Sequence, residues 1–181
     1  MGVVRRNRAA LAVAGLGALL LAGCVDSAAP LLDGATPVLG PMVRMHVYTR
    51  RDGRASGPEV GAFRWDGAQY RVVGRPTFDV ASFTAVPFAG DDLIIQSKSS
   101  RRQIKGVEYA VAHKTLDGVY LVSVIDEADA DDAARADCAN GTKGGSDSCR
   151  VATRDALLAF ARASAAKTEQ KGALVILLGD H

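Results

Sequence analysis

From Met42 to Ile125 the chain is cut into short segments in which apolar and polar residues take turns, and most segments end at a turn dipeptide. A two-residue period places alternate side chains on opposite faces of a strand, so one face of each segment is buried and the other solvated. Met42–Arg50 sets Val43, Met45, Val47 and Thr49 against Arg44, His46, Tyr48 and Arg50, and Arg51-Asp52-Gly53 turns the chain back. Val60–Trp65 and Gln69–Val73 flank Asp66-Gly67, which reads as a tight hairpin turn. Phe78–Phe88 is rich in aromatic and β-branched residues, and Pro87 puts its end at an edge or bulge. Gly90-Asp91-Asp92 leads into Leu93–Ser97. In Ile104–His113, Val107, Tyr109 and Val111 alternate with Glu108, Ala110 and Ala112, and Leu116-Asp117-Gly118 turns into the apolar strand Val119–Ile125.

The remainder of the chain changes period. Asp126–Asp137, rich in Ala and Asp, is compatible with a short exposed helix. Leu157, Leu158, Phe160, Ala161 and Ala165 cluster at helical spacing within Arg150–Lys171. Ser148 or Thr153 is placed to cap the start of this helix and Gly172 its end, with Lys167 and Lys171 favourable in the last turns. Leu174–Leu178 is a short apolar run that suits a strand buried in the sheet. The expected class is α+β: a curved antiparallel sheet or incomplete barrel of about seven strands, one main C-terminal helix, and a final short strand.

The chain opens with Arg5, Arg6 and Arg8 and no acid, followed by an apolar stretch from Ala9 to Ala22 and then Leu21-Ala22-Gly23-Cys24. About 14 apolar residues suit the central region of a secretory signal, whereas a membrane-spanning helix needs roughly 20. Leu21-Ala22-Gly23-Cys24 resembles the lipobox of bacterial lipoproteins: a branched apolar residue, two small residues and a cysteine. The resemblance implies cleavage after residue 23 and lipidation of Cys24 on its sulfur and freed amine. Two or more acyl chains then hold the protein firmly to a membrane. An ordinary cleaved signal with a thiol at Cys24, or an uncleaved anchor, are the competing readings. Met1-Gly2 does not continue as a myristoylation signal, because residue 6 is Arg. In that family an Asp directly after the cysteine favours retention at the inner membrane, so Val25 points to the outer membrane, facing the periplasm. Residues 24–41, with Pro30, Pro37, Pro41, Gly34 and Gly40, read as a flexible tether, and 42–181 as one globular periplasmic domain.

The full chain holds 22 Lys+Arg against 20 Asp+Glu, a net of +2; without the three signal arginines the balance is 19 against 20, a net of −1. That composition gives no support for nucleic-acid binding, which calls for a basic surface. Cys138 and Cys149 are an even pair in an exported chain and read as a disulfide around the polar, glycine-rich stretch ANGTKGGSDS. A metal reading lacks a CxxC pair, and the histidines are only His46, His113 and His181.

Catalytic signals are weak. Gly144-Gly145-Ser146-Asp147-Ser148 lacks the second glycine of a nucleophile elbow. The run Asp126-Glu127-Ala128-Asp129-Ala130-Asp131-Asp132 invites calcium, yet a calcium loop started at Asp129 would set Ala134 and Asn140 where Gly and Glu belong. No phosphate-binding glycine loop occurs, and neither a metal nor a cofactor is implied. Lys98, Arg101, Arg102 and Lys105 form the clearest basic cluster, suited to an anionic partner or simply to a soluble hairpin tip. Trp65, Tyr70, Phe83, Phe88, Tyr109 and Tyr120 suit either a cavity lining or ordinary core.

These readings favour a non-enzymatic lipoprotein that binds an envelope protein partner through a sheet edge or the 98–105 segment. The alternative is a binder of a small or amphipathic ligand inside a curved sheet. A dispersed catalytic site using Asp91, Asp92 and His113 ranks below both. The membrane is the one partner implied directly, through lipid on Cys24.

Overall fold

The computed structural model describes residues 24–34, 36–51, 54–100, 106–140, 149–167 and 173–179. The signal segment 1–23 and Arg101, Arg102, Lys105, Ser146 and His181 lie outside the described residues.

The strands in chain order are β1 (Val25–Ser27), β2 (Met42–Tyr48), β3 (Arg50–Arg51), β4 (Arg54–Ala55), β5 (Glu59–Trp65), β6 (Tyr70–Val73) and β7 (Val80–Pro87). They continue as β8 (Leu93–Ser99), β9 (Val107–Leu116), β10 (Val119–Val124), β11 (Ala139–Asn140), β12 (Cys149–Arg150) and β13 (Ala173–Gly179). The helices are α1 (Asp132–Arg135) and α2 (Arg154–Ala165), with a 3-10 turn at Glu127–Asp129.

Eight of these strands close into one antiparallel barrel. Five hairpins link β5 through β10 in sequence, and β2 pairs with β5. The ring is completed by β13, which lies between the first and last barrel strands: Leu174 faces Tyr48, and Val175 faces Tyr120. The molecule is therefore mostly antiparallel β, and the expected curved sheet or incomplete barrel of about seven strands with a final short strand is corrected to a closed barrel of eight. The eighth is the short C-terminal run whose place in the sheet no local pattern could assign. Closure removes the exposed edges that an open sheet would present.

Local details follow turn chemistry. Asp66–Gln69 forms a four-residue connection, longer than the tight Asp-Gly turn expected, because Trp65 pairs directly with Tyr70. The Asp66 carboxylate accepts from the Ala68 and Gln69 amides and from Arg71, which holds it down at about 2. Gly118, at φ 71°, makes the β9–β10 turn in the left-handed region that glycine adopts freely. Pro87 is the last residue of β7, opposite Leu93, where its missing N–H costs little.

The helix α2 is shorter than the sequence suggested, running Arg154–Ala165. Thr153 caps it, accepting from the Ala156 amide at 3.2 Å, and the chain leaves the helix at Ala166. Its buried side carries Ala156, Leu157, Phe160, Ala161 and Ser164, one stripe at helical spacing. That stripe packs on the outer face of the barrel with Val107, Tyr109, Val111 and Ile125, all at most 2% exposed.

Residues 24–32 are not a tether. Val25 is fully buried, β1 pairs antiparallel with β9 and parallel with β12, and Leu32 is 5% exposed. The Gln96 side chain accepts from the Leu31 and Leu32 amides at 2.9 and 3.0 Å and donates to the Leu32 carbonyl. The Tyr109 hydroxyl reaches Ser27 Oγ at 2.7 Å. Asp26 accepts two hydrogen bonds from the Arg150 guanidinium, at 2.7 and 3.2 Å. Proline and glycine suggested a loose segment, but Val25, Ser27, Leu31 and Leu32 meet partners far along the chain. Gly34 belongs to this docking: a Cβ there would collide with the Thr84 methyl.

Cys138 and Cys149 form a disulfide, with Cα atoms 5.0 Å apart. The bond lies at the base of the β11–β12 pair, where Asn140 faces Cys149. Among the described residues no helix is long and apolar enough to cross a membrane.

Candidate functional site

Alternate residues of every barrel strand point inward, and they do not fill the lumen. On β9 the inward residues are Glu108, Ala110 and Ala112, while the bulky Val107, Tyr109 and Val111 face α2. Ala110 and Ala112 leave space where larger side chains would meet across the ring. An interior cavity of about 540 Å³ results. An eight-stranded barrel is wide enough to hold either packed side chains or one small ligand. This volume falls within the ordinary range of small-molecule sites.

One end of the lumen is stopped. Phe63 and Phe83 meet edge-on at 5.0 Å, and Tyr70 stacks on Phe83 at 4.7 Å. Tyr70 is fully buried; its hydroxyl accepts from the Leu39 amide and donates to the Gly40 carbonyl, both at 3.0 Å. The Leu39–Pro41 segment is thereby pinned across the barrel base, and Leu39 lines the cavity floor. Burial pushes the Tyr70 hydroxyl above its ordinary range, so it stays protonated and able to donate.

The wall is apolar. Met45, Val47, Ile95, Val122 and Leu177 face the void, and each remains only half-buried despite pointing inward. Gly61 faces inward too. A Cβ there would lie 2.6 Å from the Phe78 ring, so glycine gives that ring its seat beside Phe63.

The other end is polar. Thr49, Glu59, Asp79, Ser97, Ser99 and Glu108 line the cavity where the strands end. Asp79 accepts from Ser100 Oγ at 3.4 Å. Glu108 has its carboxyl pushed up, chiefly by burial and then by the nearby Asp26 carboxylate. The result is an apolar pocket under a rim of hydroxyls and carboxylates. This arrangement holds an apolar body inside and offers acceptors to a polar or cationic head.

The aromatics singled out in sequence divide between two environments. Phe83 and Tyr120 line the cavity, Tyr70 forms its floor with Trp65 edge-on against it, and Tyr109 and Phe88 belong to the layer beneath α2. Phe63 and Gly61 were missed, although their inward parity was readable from the alternation of β5; Phe78 was missed because it precedes β7 and the register shifts between Val80 and Ser82.

The other candidates are dispersed. His113 Nδ1 and Asp92 Oδ1 lie 2.7 Å apart on the outside of the barrel, while Asp91 is exposed. In the acidic run, Asp126 caps the 3-10 turn, Asp131 caps α1, and Asp129 lies 3.3 Å from Lys167 Nζ. Lys98 is exposed on β8, one residue before its end. Cys24 bridges to Asp126, and burial pushes its thiol up to about 12, with Glu108, Asp126 and Asp26 adding to the effect. A thiol so protonated is a poor nucleophile.

Comparison with known protein families, curated proteins and solved structures gave no match.

Proposed function

We propose that this chain is a lipid-anchored lipoprotein of the bacterial envelope whose barrel binds a small amphipathic ligand, with its apolar part in the lumen and its polar head at the rim. One observation carries the reading: the 540 Å³ void has apolar walls and an acceptor-rich rim. A barrel serving only as scaffold would gain stability by filling that void, since each unfilled methylene forfeits contact energy. Closure of the ring also weakens the expected docking of a protein partner on a sheet edge, because the eight barrel strands have none to offer. The reading is non-enzymatic. It takes the export signal and Cys24 anchor from the lipobox resemblance, and the Cys138–Cys149 bond suits an oxidising compartment.

The test is binding of a fluorescent single-chain amine to the lipidated protein in phospholipid nanodiscs. Saturation at one probe per protein is expected. Ala110→Trp should abolish it by filling the void while the circular dichroism stays native. Ile95→Trp provides a second filling variant should the first misfold. Binding that survives in a folded filled variant would refute the reading.

A further inference from the structure

The lumen rim, the anchor residue and the end of the N-terminal strand occupy one place. Asp26 of β1 faces Glu108 of β9 in register, and paired residues share a sheet face. Glu108 lines the cavity, and Asp26 and, two residues earlier, Cys24 lie on its side of the sheet, just beyond the lining. The neighbouring strand runs to the same place: Val124 lines the cavity, Ile125 is fully buried on the α2 side, and Asp126, next in the chain, is the bridge partner of Cys24. No spacer separates the anchor from the fold, because the Val25 amide donates to the Ile125 carbonyl at 2.9 Å and Val25 is fully buried. Two exposed apolar side chains, Leu174 and Val60, stand on the outer face at this same end of β13 and β5. Trp65 and Leu39 mark the opposite, stopped end.

We infer that the lipid on Cys24 holds the barrel mouth-down on the bilayer, and that the ligand is a single-chain amphiphile drawn directly from that leaflet. The inference rests on the ligand-binding reading and on the anchor proposed above. Acyl chains leaving Cys24 start beside Glu108 and descend into the membrane, so the rim meets the headgroup layer and the lumen continues the apolar interior. An amphiphile then exchanges along its own length without crossing bulk water. Its head meets Glu59 and Glu108 at the rim.

Intact mass first establishes the acylated mature chain; a mass without acyl groups overturns the inference. The lipidated protein is then placed in vesicles holding brominated phospholipid, which quenches tryptophan on contact. Trp65 is the single tryptophan of the chain, and it is expected to escape quenching. In a Trp65→Phe background, Leu174→Trp is expected to be quenched strongly. The reverse pattern overturns mouth-down seating and leaves ligand binding standing. Uptake of the fluorescent amine from vesicles is measured last, with and without a dozen Gly and Ser residues inserted between Cys24 and Val25. The spacer is expected to leave final occupancy unchanged and to slow uptake by roughly tenfold, since it dilutes the mouth away from the membrane. Unchanged uptake with full occupancy refutes the membrane route alone, whereas no occupancy with either protein refutes the ligand-binding reading itself.

Discussion

Strand β9 serves two interiors with its two faces, and they are built differently. Towards α2 it offers Val107, Tyr109 and Val111, which close against Leu157, Phe160 and Ile125 into a layer with almost no exposure. Towards the lumen it offers Glu108, Ala110 and Ala112, and the opposing walls do not reach across to fill the gap. The same sheet thus carries a packed core on one side and a hole on the other. Large side chains were placed where stability is needed and small ones where space is kept. The helix-covered layer is closely packed, and the lumen keeps open space.

That contrast can be broken most sharply with two identical substitutions. Leu157→Ala, in the packed layer, is expected to cost about 2–5 kcal/mol, since it removes buried methylenes and leaves a new cavity. Leu177→Ala, on the lumen wall, only enlarges a void that already exists, and about 1 kcal/mol is expected. Urea denaturation gives both values; equal costs would mean that the lumen is as tightly packed as the layer.

The disulfide belongs to the packed side, because Cys149 is 1% exposed within that layer. Replacing Cys138 and Cys149 by Ser opens a loop of sequence separation 11, for which about 3 kcal/mol is expected. Thermal unfolding would record the loss, and probe binding by the surviving folded fraction should persist.

Gln96→Ala strips partners from the Leu31 and Leu32 amides, and about 1–3 kcal/mol is expected for the buried donor left unpaired. Hydrogen exchange should then rise in residues 24–34 before the barrel itself opens. Protection unchanged in that segment would show that β1 pairing alone holds it.

The smallest effect concerns the rim. Burial raises the Glu108 carboxyl in the folded state above its value in the unfolded chain. Such a group binds its proton more tightly when folded, so it adds stability at low pH and loses it as pH rises from the unfolded value through the raised folded one. Glu108→Gln should therefore raise the midpoint of unfolding slightly at pH 7 and change it little at pH 3. A shift of the opposite sign at pH 7 would mean that Glu108 is held by an attractive partner.

The difference between the two regions also explains what could be read in advance. Seven of the barrel strands were legible from patterns local to each segment, whereas Leu174–Leu178 read only as an apolar run. Asp66, Gly118 and Thr153 behave as turn and cap chemistry dictates, apart from the longer Asp66–Gln69 connection. The void was half-legible: Glu108-Tyr109-Ala110-Val111-Ala112 shows the small residues on one face, but emptiness requires knowing what stands opposite. Residues 25–32 misled for the same reason. Pro30 and Gly34 report local backbone freedom, whereas Val25 and Leu32 are fixed by Ile125, Cys149 and Gln96, each more than sixty residues away.

The sequence by itself determined the strand periodicity, the single amphipathic helix, the cysteine pair and the lipobox-like start, all features carried by residues within a few positions of one another. Only the tertiary structure decided that Leu174–Leu178 would close the ring, that α2 would cover one face of β9, and that Cys24 would stand at the rim. Those outcomes depend on long-range pairing, where the energy comes from surfaces that meet only after the chain has folded.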